Sequence, residues 1–60
     1  MLITYRDQSP TVHETAWIGA GAKLIGDVTV AQEATIWYNT VLRADLAAIT
    51  IGKRTNIQDS

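Results

Sequence analysis

Two polar residues after an aliphatic run are the first candidates for chemistry in this sequence. Arg43 and Asp45 flank Ala44, directly after Leu42. In an extended strand, side chains two positions apart project to the same side, so this pair is placed to form an ion pair or to share a partner. The alternative is an ordinary exposed pair, which contributes up to about 1 kcal/mol. The spacing alone therefore predicts a contact and assigns it no function.

A second polar cluster lies close to the end of the sequence. Asn56, Gln58 and Asp59 surround Ile57. If Ile57 points into a core, Asn56 and Gln58 point outward. A carboxamide beside a carboxylate can orient a water molecule or a ligand through hydrogen bonds. The alternative is a solvated strand face.

The sequence contains one histidine and no cysteine. A tetrahedral zinc site needs several converging ligands, and His13 alone cannot supply them. We therefore expect His13 to be a surface residue and expect no metal ligand in this chain.

Three aromatic residues, Trp17, Trp37 and Tyr38, could form a binding platform. Their places in the repeat described next favour shielding of a core or an interface instead.

A six-residue repeat must position all of these side chains. Aliphatic residues recur at this spacing and resume it after one interruption: Val12, Ile18, Leu24, Val30, Ile36, Leu42, and then Ile51 and Ile57. Compact or β-branched residues stand two positions before each of them. A hexapeptide period is typical of a parallel β-helix, in which one aliphatic side chain per short strand points into a shared core. We predict an all-β fold of about three coils.

The interruption adds three residues, because Leu42 and Ile51 are nine positions apart where six is the rule. We expect residues 46–48 to form a small loop at one corner of the helix. Glycines favour tight turns and are expected at the other corners, at Gly19, Gly21, Gly26 and Gly52.

Residues 1–9 precede the repeat and are predicted to form a leading strand or cap, while residues 10–60 form the β-helix. The sequence stops in mid-repeat without a recognisable cap, so we interpret it as the truncated part of a longer solenoid. A local helix over residues 31–34 or 44–48 is the alternative, but a period of six does not fit a helix.

Composition excludes several classes of protein. The formal charge is −1, with five basic and six acidic residues spread along the chain, so no basic patch predicts nucleic-acid binding. No apolar stretch is long enough to span a membrane, and no signal peptide is recognisable. We expect a cytoplasmic protein. A chain of 60 residues without disulfides is marginally stable alone, which favours oligomerisation.

The polar motifs and their spacing resemble the γ-class carbonic anhydrase family. The resemblance runs from about Pro10 to the end of the sequence. It rests on the segments 25–30, 36–39, 41–45, 49–52 and 55–59. Leu-Arg-x-Asp at 42–45 followed by Asn-Ile-Gln-Asp at 56–59 is more specific than the hexapeptide repeat, which acyltransferases share.

This resemblance implies a left-handed β-helix that assembles as a homotrimer. It also implies a divalent metal, usually zinc, that is held between subunits by three histidines. Such a metal lowers the pKa of its bound water, and the resulting hydroxide converts carbon dioxide to bicarbonate.

The resemblance assigns roles to five residues. Arg43 and Asp45 match an interface ion pair, and Asp59 matches a partner in that interface network. Gln58 matches a residue near the metal-bound solvent, and Asn56 matches a polar neighbour in the same pocket.

The histidines of the family follow the Asn-Ile-Gln-Asp segment, beyond the end of this sequence. We therefore expect the chain to be the N-terminal part of a γ-carbonic anhydrase-like protein that binds no metal and is inactive by itself. The alternatives are a non-enzymatic β-helix assembly module and a relative of the hexapeptide acyltransferases.

Overall fold

The computed structural model describes residues 1–58, except for the side chain of Leu46. Its strands are β1 (Leu2–Ile3), β2 (Thr11–Val12), β3 (Trp17–Ile18), β4 (Lys23–Val30), β5 (Thr35–Ile36), β6 (Val41–Ile51) and β7 (Asn56–Ile57). Within these residues there is no helix, and hence none of the length and apolarity that a membrane crossing requires. The all-β prediction is confirmed, and the helical alternative over residues 31–34 and 44–48 is wrong.

The strands pair in parallel as three stacks that surround one core. Stack 1 consists of β1, residues 23–26 of β4 and residues 41–44 of β6. Stack 2 consists of β2, residues 28–30 of β4 and residues 49–51 of β6. Stack 3 consists of β3, β5 and β7. The chain visits the stacks in turn, and this gives a solenoid of about three turns.

The strand register follows the hexapeptide repeat. In stack 3, Ile18, Ile36 and Ile57 are aligned in register and point inward. The positions before them, Trp17 and Thr35 on successive coils, are aligned on the outer side. Each coil therefore places equivalent residues above one another, as expected for a period of six and three strands per turn.

The core is densest in the middle coil. Its fully buried side chains are Ala22, Leu24, Val28, Val30, Ala34 and Ile36. In the first and last coils, the inward residues Val12, Ile18 and Ile57 are only partly buried, whereas Ala44 and Ile51 of the last coil are 7% exposed. Because a solenoid coil buries its apolar side chains against its neighbours, a middle coil excludes water from both sides.

The three extra residues lie where the sequence predicts them, but in a different form. Ala44 pairs with Gly26 and Ile49 pairs with Val28, so residues 45–48 stand opposite Asp27 alone. β6 nevertheless continues as a strand through this point. The predicted loop at 46–48 is therefore wrong in form, since the extra residues bulge within the strand.

The corners of the solenoid are only partly built with glycine. Gly21 and Gly26 have φ values of +79° and +81°, a conformation that favours glycine. Gly19 and Gly52 do not have positive φ. At Gly19 the reason is space, because a Cβ would lie 2.9 Å from the backbone of Trp37. Positive φ at other corners falls on Glu33, Asn39 and Arg54.

One corner carries a ladder of side chains from coil to coil. The Glu33 amide donates to Thr15 Oγ1 over 3.0 Å, and Arg54 Nε donates to Glu33 Oε1 over 2.9 Å. Thr15, Glu33 and Arg54 occupy the same corner of successive coils, so these contacts stabilise the stacking of the turns.

The N-terminal residues contain the short strand β1. Leu2 and Ile3 pair with Leu24 and Ile25 of β4. A two-residue turn follows, in which Tyr5 and Gln8 exchange backbone hydrogen bonds of 2.8 and 3.0 Å.

Candidate functional site

Arg43 and Asp45 form the ion pair that their spacing predicts. Arg43 Nη2 donates to Asp45 Oδ2 over 2.6 Å. The Arg43 side chain is 68% exposed, whereas that of Asp45 is 26% exposed. The pair therefore lies on the outer side of stack 1, with the guanidinium largely free to contact a further group.

Asn56 is held by two donors from the coil below. Thr35 Oγ1 donates to Asn56 Oδ1 over 2.8 Å, and Trp37 Nε1 donates to the same oxygen over 2.5 Å. Because an indole N–H is a donor only, the carboxamide must present its oxygen to Trp37. The Nδ2 amino group of Asn56 is consequently directed away from these partners and is available to an acceptor on a ligand.

Gln58 begins the corner after β7, and its side chain is exposed. Its backbone oxygen accepts a hydrogen bond of 3.0 Å from Oγ1 of Thr40, which is only 5% exposed. Thr40 thus fixes the backbone from which the Gln58 side chain projects. Asp59, the remaining predicted residue, lies outside the described residues.

The two polar groups are not brought together within one chain. Arg43 and Asp45 lie on stack 1 and the bulge that follows it, whereas Asn56 lies on stack 3. Stacks 1 and 3 meet at the corner that contains Trp37 and Tyr38.

Three aromatic rings pack together at this corner. The ring centroids of Trp17 and Trp37 are 5.0 Å apart, and Tyr38 lies 5.7 Å from Trp17 and 6.0 Å from Trp37, all edge to face. Trp17 and Tyr38 remain 41% and 46% exposed. Edge-to-face packing at this distance leaves no slot for a ligand between the rings, so they act as one rigid apolar surface.

The role of Trp37 in holding Asn56 was not predicted. The strand register could have indicated this contact, because Asn56 is aligned with Thr35 and Thr35 lies two residues before Trp37. The three-residue bulge had to be placed correctly before that alignment became visible.

The donor set of the described residues does not fit a resident metal. No group of three or more His, Cys, Asp or Glu side chains converges within residues 1–58. His13 is exposed, as predicted, and its Nδ1 lies 2.9 Å from Thr15 Oγ1 within a turn. A catalytic zinc needs three protein ligands, which these residues do not supply.

Curated relatives align with almost the entire chain. It is 41% identical over 59 residues to an uncharacterized transferase, YtoA, of Bacillus subtilis, covering 98% of this chain and 34% of the relative. It is 40% identical over 60 residues to a carbonic anhydrase of Geobacillus kaustophilus, covering 100% and 33%. It is 39% identical over 59 residues to γ carbonic anhydrase 1, mitochondrial, of Arabidopsis thaliana, covering 98% and 22%.

Solved structures also superpose on almost the entire chain. A Bacillus cereus protein provisionally named as an acetyltransferase superposes with a TM-score of 0.94 at 38% identity, over 97% of this chain and 34% of that one. A hexapeptide transferase family protein of Anaplasma phagocytophilum superposes with a TM-score of 0.93 at 49% identity, over 95% and 34%. The chain matches no protein-family model.

The strand stacks and these neighbours define the class of protein as a parallel β-helix of hexapeptide repeats. Within that class, relatives named carbonic anhydrase or γ carbonic anhydrase share about 40% identity with the chain, so the resemblance that the motifs predict is confirmed. The chain spans about a third of the length of the first curated relatives that it matches.

Proposed function

We propose that this chain is the scaffold part of a γ-carbonic anhydrase-like protein, whose complete form hydrates carbon dioxide to bicarbonate. The observation that carries the proposal is the pair of motifs on adjacent stacks. The Arg43–Asp45 ion pair and the Asn56 carboxamide held by Thr35 and Trp37 support it, because the resemblance assigns roles to Arg43, Asp45 and Asn56. The relatives named carbonic anhydrase support this reading.

In the proposed site, Asn56 and Gln58 act as hydrogen-bond partners of the substrate or of the attacking water. Asn56 offers its Nδ2 group because its oxygen is held by Thr35 and Trp37. Gln58 has both donor and acceptor atoms on an exposed side chain. Each group orients its partner without changing its own protonation state.

A zinc or other divalent ion would supply the activated hydroxide in the complete family member. The described residues do not fit such an ion, so we propose that its histidines come from outside this 60-residue sequence. We expect the chain by itself to hold no metal and to be inactive.

A homotrimer would bring the two polar groups together. In a ring of three parallel solenoids, each subunit contacts its two neighbours through two different faces, which flank one corner. The first face of one subunit packs against the second face of the next subunit. Stacks 1 and 3 flank the aromatic corner, so the exposed Arg43 of one subunit would face Asn56 of the next. Carbon dioxide and bicarbonate would then bind between subunits. A cytoplasmic location, as predicted from the sequence, completes the proposal.

The proposal is tested with a chimera in which this chain replaces the aligned segment of the Geobacillus kaustophilus carbonic anhydrase. We expect the chimera to hydrate carbon dioxide in a stopped-flow assay, with the unaltered relative as the positive control. We expect no hydration above buffer from the 60-residue chain with added zinc. A folded chimera without activity would count against the proposal.

The second candidate is a hexapeptide acyltransferase, which is favoured by the relatives and solved neighbours named as transferases. The same chimera separates the two functions. Acyl transfer requires binding of acyl-CoA, and acetyl-CoA should then raise the melting temperature of the protein. Carbon dioxide hydration with no such shift supports the anhydrase. A shift without hydration supports the transferase. The absence of both hydration and a shift supports a non-enzymatic assembly module.

A further inference from the structure

Two outgrowths at one corner of the solenoid flank a coil that has none. Residues 4–10 connect Ile3 to Thr11, whereas only 26–28 connect the paired residues Ile25 and Thr29. On the opposite side, residues 45–48 stand opposite Asp27 alone. The short coil therefore forms the floor of a cleft, and the two longer connections form its walls.

The cleft is open to solvent and has a volume of about 250 Å³. It is lined by Tyr5, Arg6, Gln8, Asp27, Ala44, Asp45, Ala47 and Ala48. This volume is smaller than the 300–1,000 Å³ or so that is typical of sites for drug-sized ligands, so a compact ligand is indicated.

The backbone holds this cleft in shape. Gly26 lies under it with a φ of +81°, and a Cβ at that position would lie 2.7 Å from the Ala44 carbonyl oxygen. The hydrogen bonds between Tyr5 and Gln8 close the turn that carries one wall. The cleft is therefore formed by the course of the backbone as well as by the conformations of the side chains.

The charged groups of the lining are not paired with each other. Asp45 is engaged by Arg43. Asp27 is half-buried, and the ion pairs found within residues 1–58 include neither Asp27 nor Arg6. The guanidinium carbon of Arg6 lies 5.5 Å from the centroid of the Tyr5 ring. The cleft therefore offers one carboxylate acceptor and one guanidinium donor to a ligand.

We propose that this cleft binds a small zwitterion of the α-amino-acid class. The ammonium group of the ligand binds the Asp27 carboxylate on the floor, and its carboxylate binds Arg6 on the wall. Ala47 and Ala48 leave room for a short carbon chain and contact it. The cleft lies between stacks 1 and 2 and shares only Asp45 with the proposed subunit contact, whereas the ligand is bound by Asp27 and Arg6, which that contact does not use.

The test is a titration of the ¹⁵N-labelled 60-residue chain, followed by amide chemical shifts. L-Alanine is the probe, and ethylamine and propionate each retain one of its charges. We expect L-alanine to give saturable shifts at Asp27, Ala47 and Ala48, with a dissociation constant of roughly 1 mM for so small a ligand. Each singly charged probe should bind about tenfold more weakly, because one charged hydrogen bond is lost.

Two variants and a control locate the ligand. Asp27→Asn and Arg6→Gln should each weaken binding of L-alanine about tenfold. Arg54→Gln removes a similar exposed cation from another corner and should leave binding unchanged. Equal affinity for ethylamine and L-alanine, or no saturable shift with L-alanine, would overturn the proposal. The probe series uses the unaltered chain and is measured on dispersed amide resonances of folded protein, so it decides the matter even if a variant fails to fold.

Discussion

At the scale of single residues, the orientation of Asn56 is the feature on which the proposed site depends most. Its oxygen accepts hydrogen bonds from Thr35 and Trp37, which leaves its amino group to face a ligand. Without the indole donor, the carboxamide could rotate and present either end. The indole of Trp37 is therefore a positioning group for Asn56.

We predict that Trp37→Phe lowers the carbon dioxide hydration rate of the chimera severalfold, while the free energy of unfolding falls by about 1 kcal/mol for the lost hydrogen bond. Trp17→Phe is the matched control, since it removes an indole from the same aromatic cluster and leaves the Asn56 contacts intact. Equal loss of hydration in both variants would show that the cluster matters only as packing.

The sequence reveals the outward position of Asn56 but not its partners. Alternation around Ile57 is enough to predict that Asn56 and Gln58 point outward. The contact with Trp37 joins residues from two coils, and its register depends on how the three extra residues are accommodated. Packing between coils determines how the extra residues are accommodated, and a local sequence pattern does not predict that packing.

The turn at Tyr5–Gln8 offers a direct test of backbone strain. Its central residues, Arg6 and Asp7, both have positive φ, at +50° and +67°. Such two-residue hairpin turns favour Asn-Gly or Asp-Gly. We predict that Asp7→Gly stabilises the chain by about 0.5–1 kcal/mol, because glycine adopts this conformation without steric cost.

Urea denaturation monitored by tryptophan fluorescence measures this change. Asp7→Ala is the control, since it removes the same charge but keeps the Cβ. A stabilisation of equal size in Asp7→Ala would assign the effect to charge and contradict the role of φ.

At the scale of strands, position along the solenoid determines how much each inward residue contributes. Ile18, Ile36 and Ile57 are aligned in stack 3, but only Ile36 is fully buried. We predict that Ile36→Ala costs about 3–4 kcal/mol, and that Ile18→Ala and Ile57→Ala each cost roughly half as much.

The three variants form their own control, because residue type, strand stack and substitution are the same. Urea titrations give the free energies of unfolding. The slope of this free energy against urea concentration is compared between the variants. Equal losses at all three positions would mean that the end coils are as well covered as the middle coil in solution.

The strand pattern is the part of the fold that the sequence predicts best. A spacing of six with one aliphatic residue per strand gives the inward positions, and Leu24, Val30 and Ile36 are buried as expected. The form of the insertion and the corners are predicted less well. A bulge and a loop satisfy the same spacing, and neither the spacing nor the residue type predicts positive φ at Glu33 or Arg54.

At the scale of the whole molecule, the outer surfaces of the three stacks differ in chemistry. Stack 1 presents Val41, which is 51% exposed, near Arg43, whereas stack 2 presents the exposed threonines Thr11, Thr29 and Thr50. An exposed apolar residue beside a cation suits a subunit contact better than a row of hydroxyl groups.

We therefore predict that Val41→Glu dissociates the chimera, because burying a carboxylate in the subunit contact is costly and the neighbouring Arg43 is already engaged by Asp45. Thr50→Glu lies in the same strand, on stack 2, and should leave the oligomer intact. Sedimentation velocity distinguishes trimer from monomer. Dissociation by Thr50→Glu alone would assign the contact to stack 2 and contradict the proposed arrangement.

The carbon dioxide hydration rate of the chimera tests the central claim most directly, because this chain must then supply the whole scaffold segment of a working site. We predict a rate within about tenfold of the Geobacillus kaustophilus carbonic anhydrase, a difference of roughly 1.4 kcal/mol in the barrier. A chimera that forms the same oligomer as that relative, binds the same amount of metal and hydrates carbon dioxide no faster than buffer would contradict the claim.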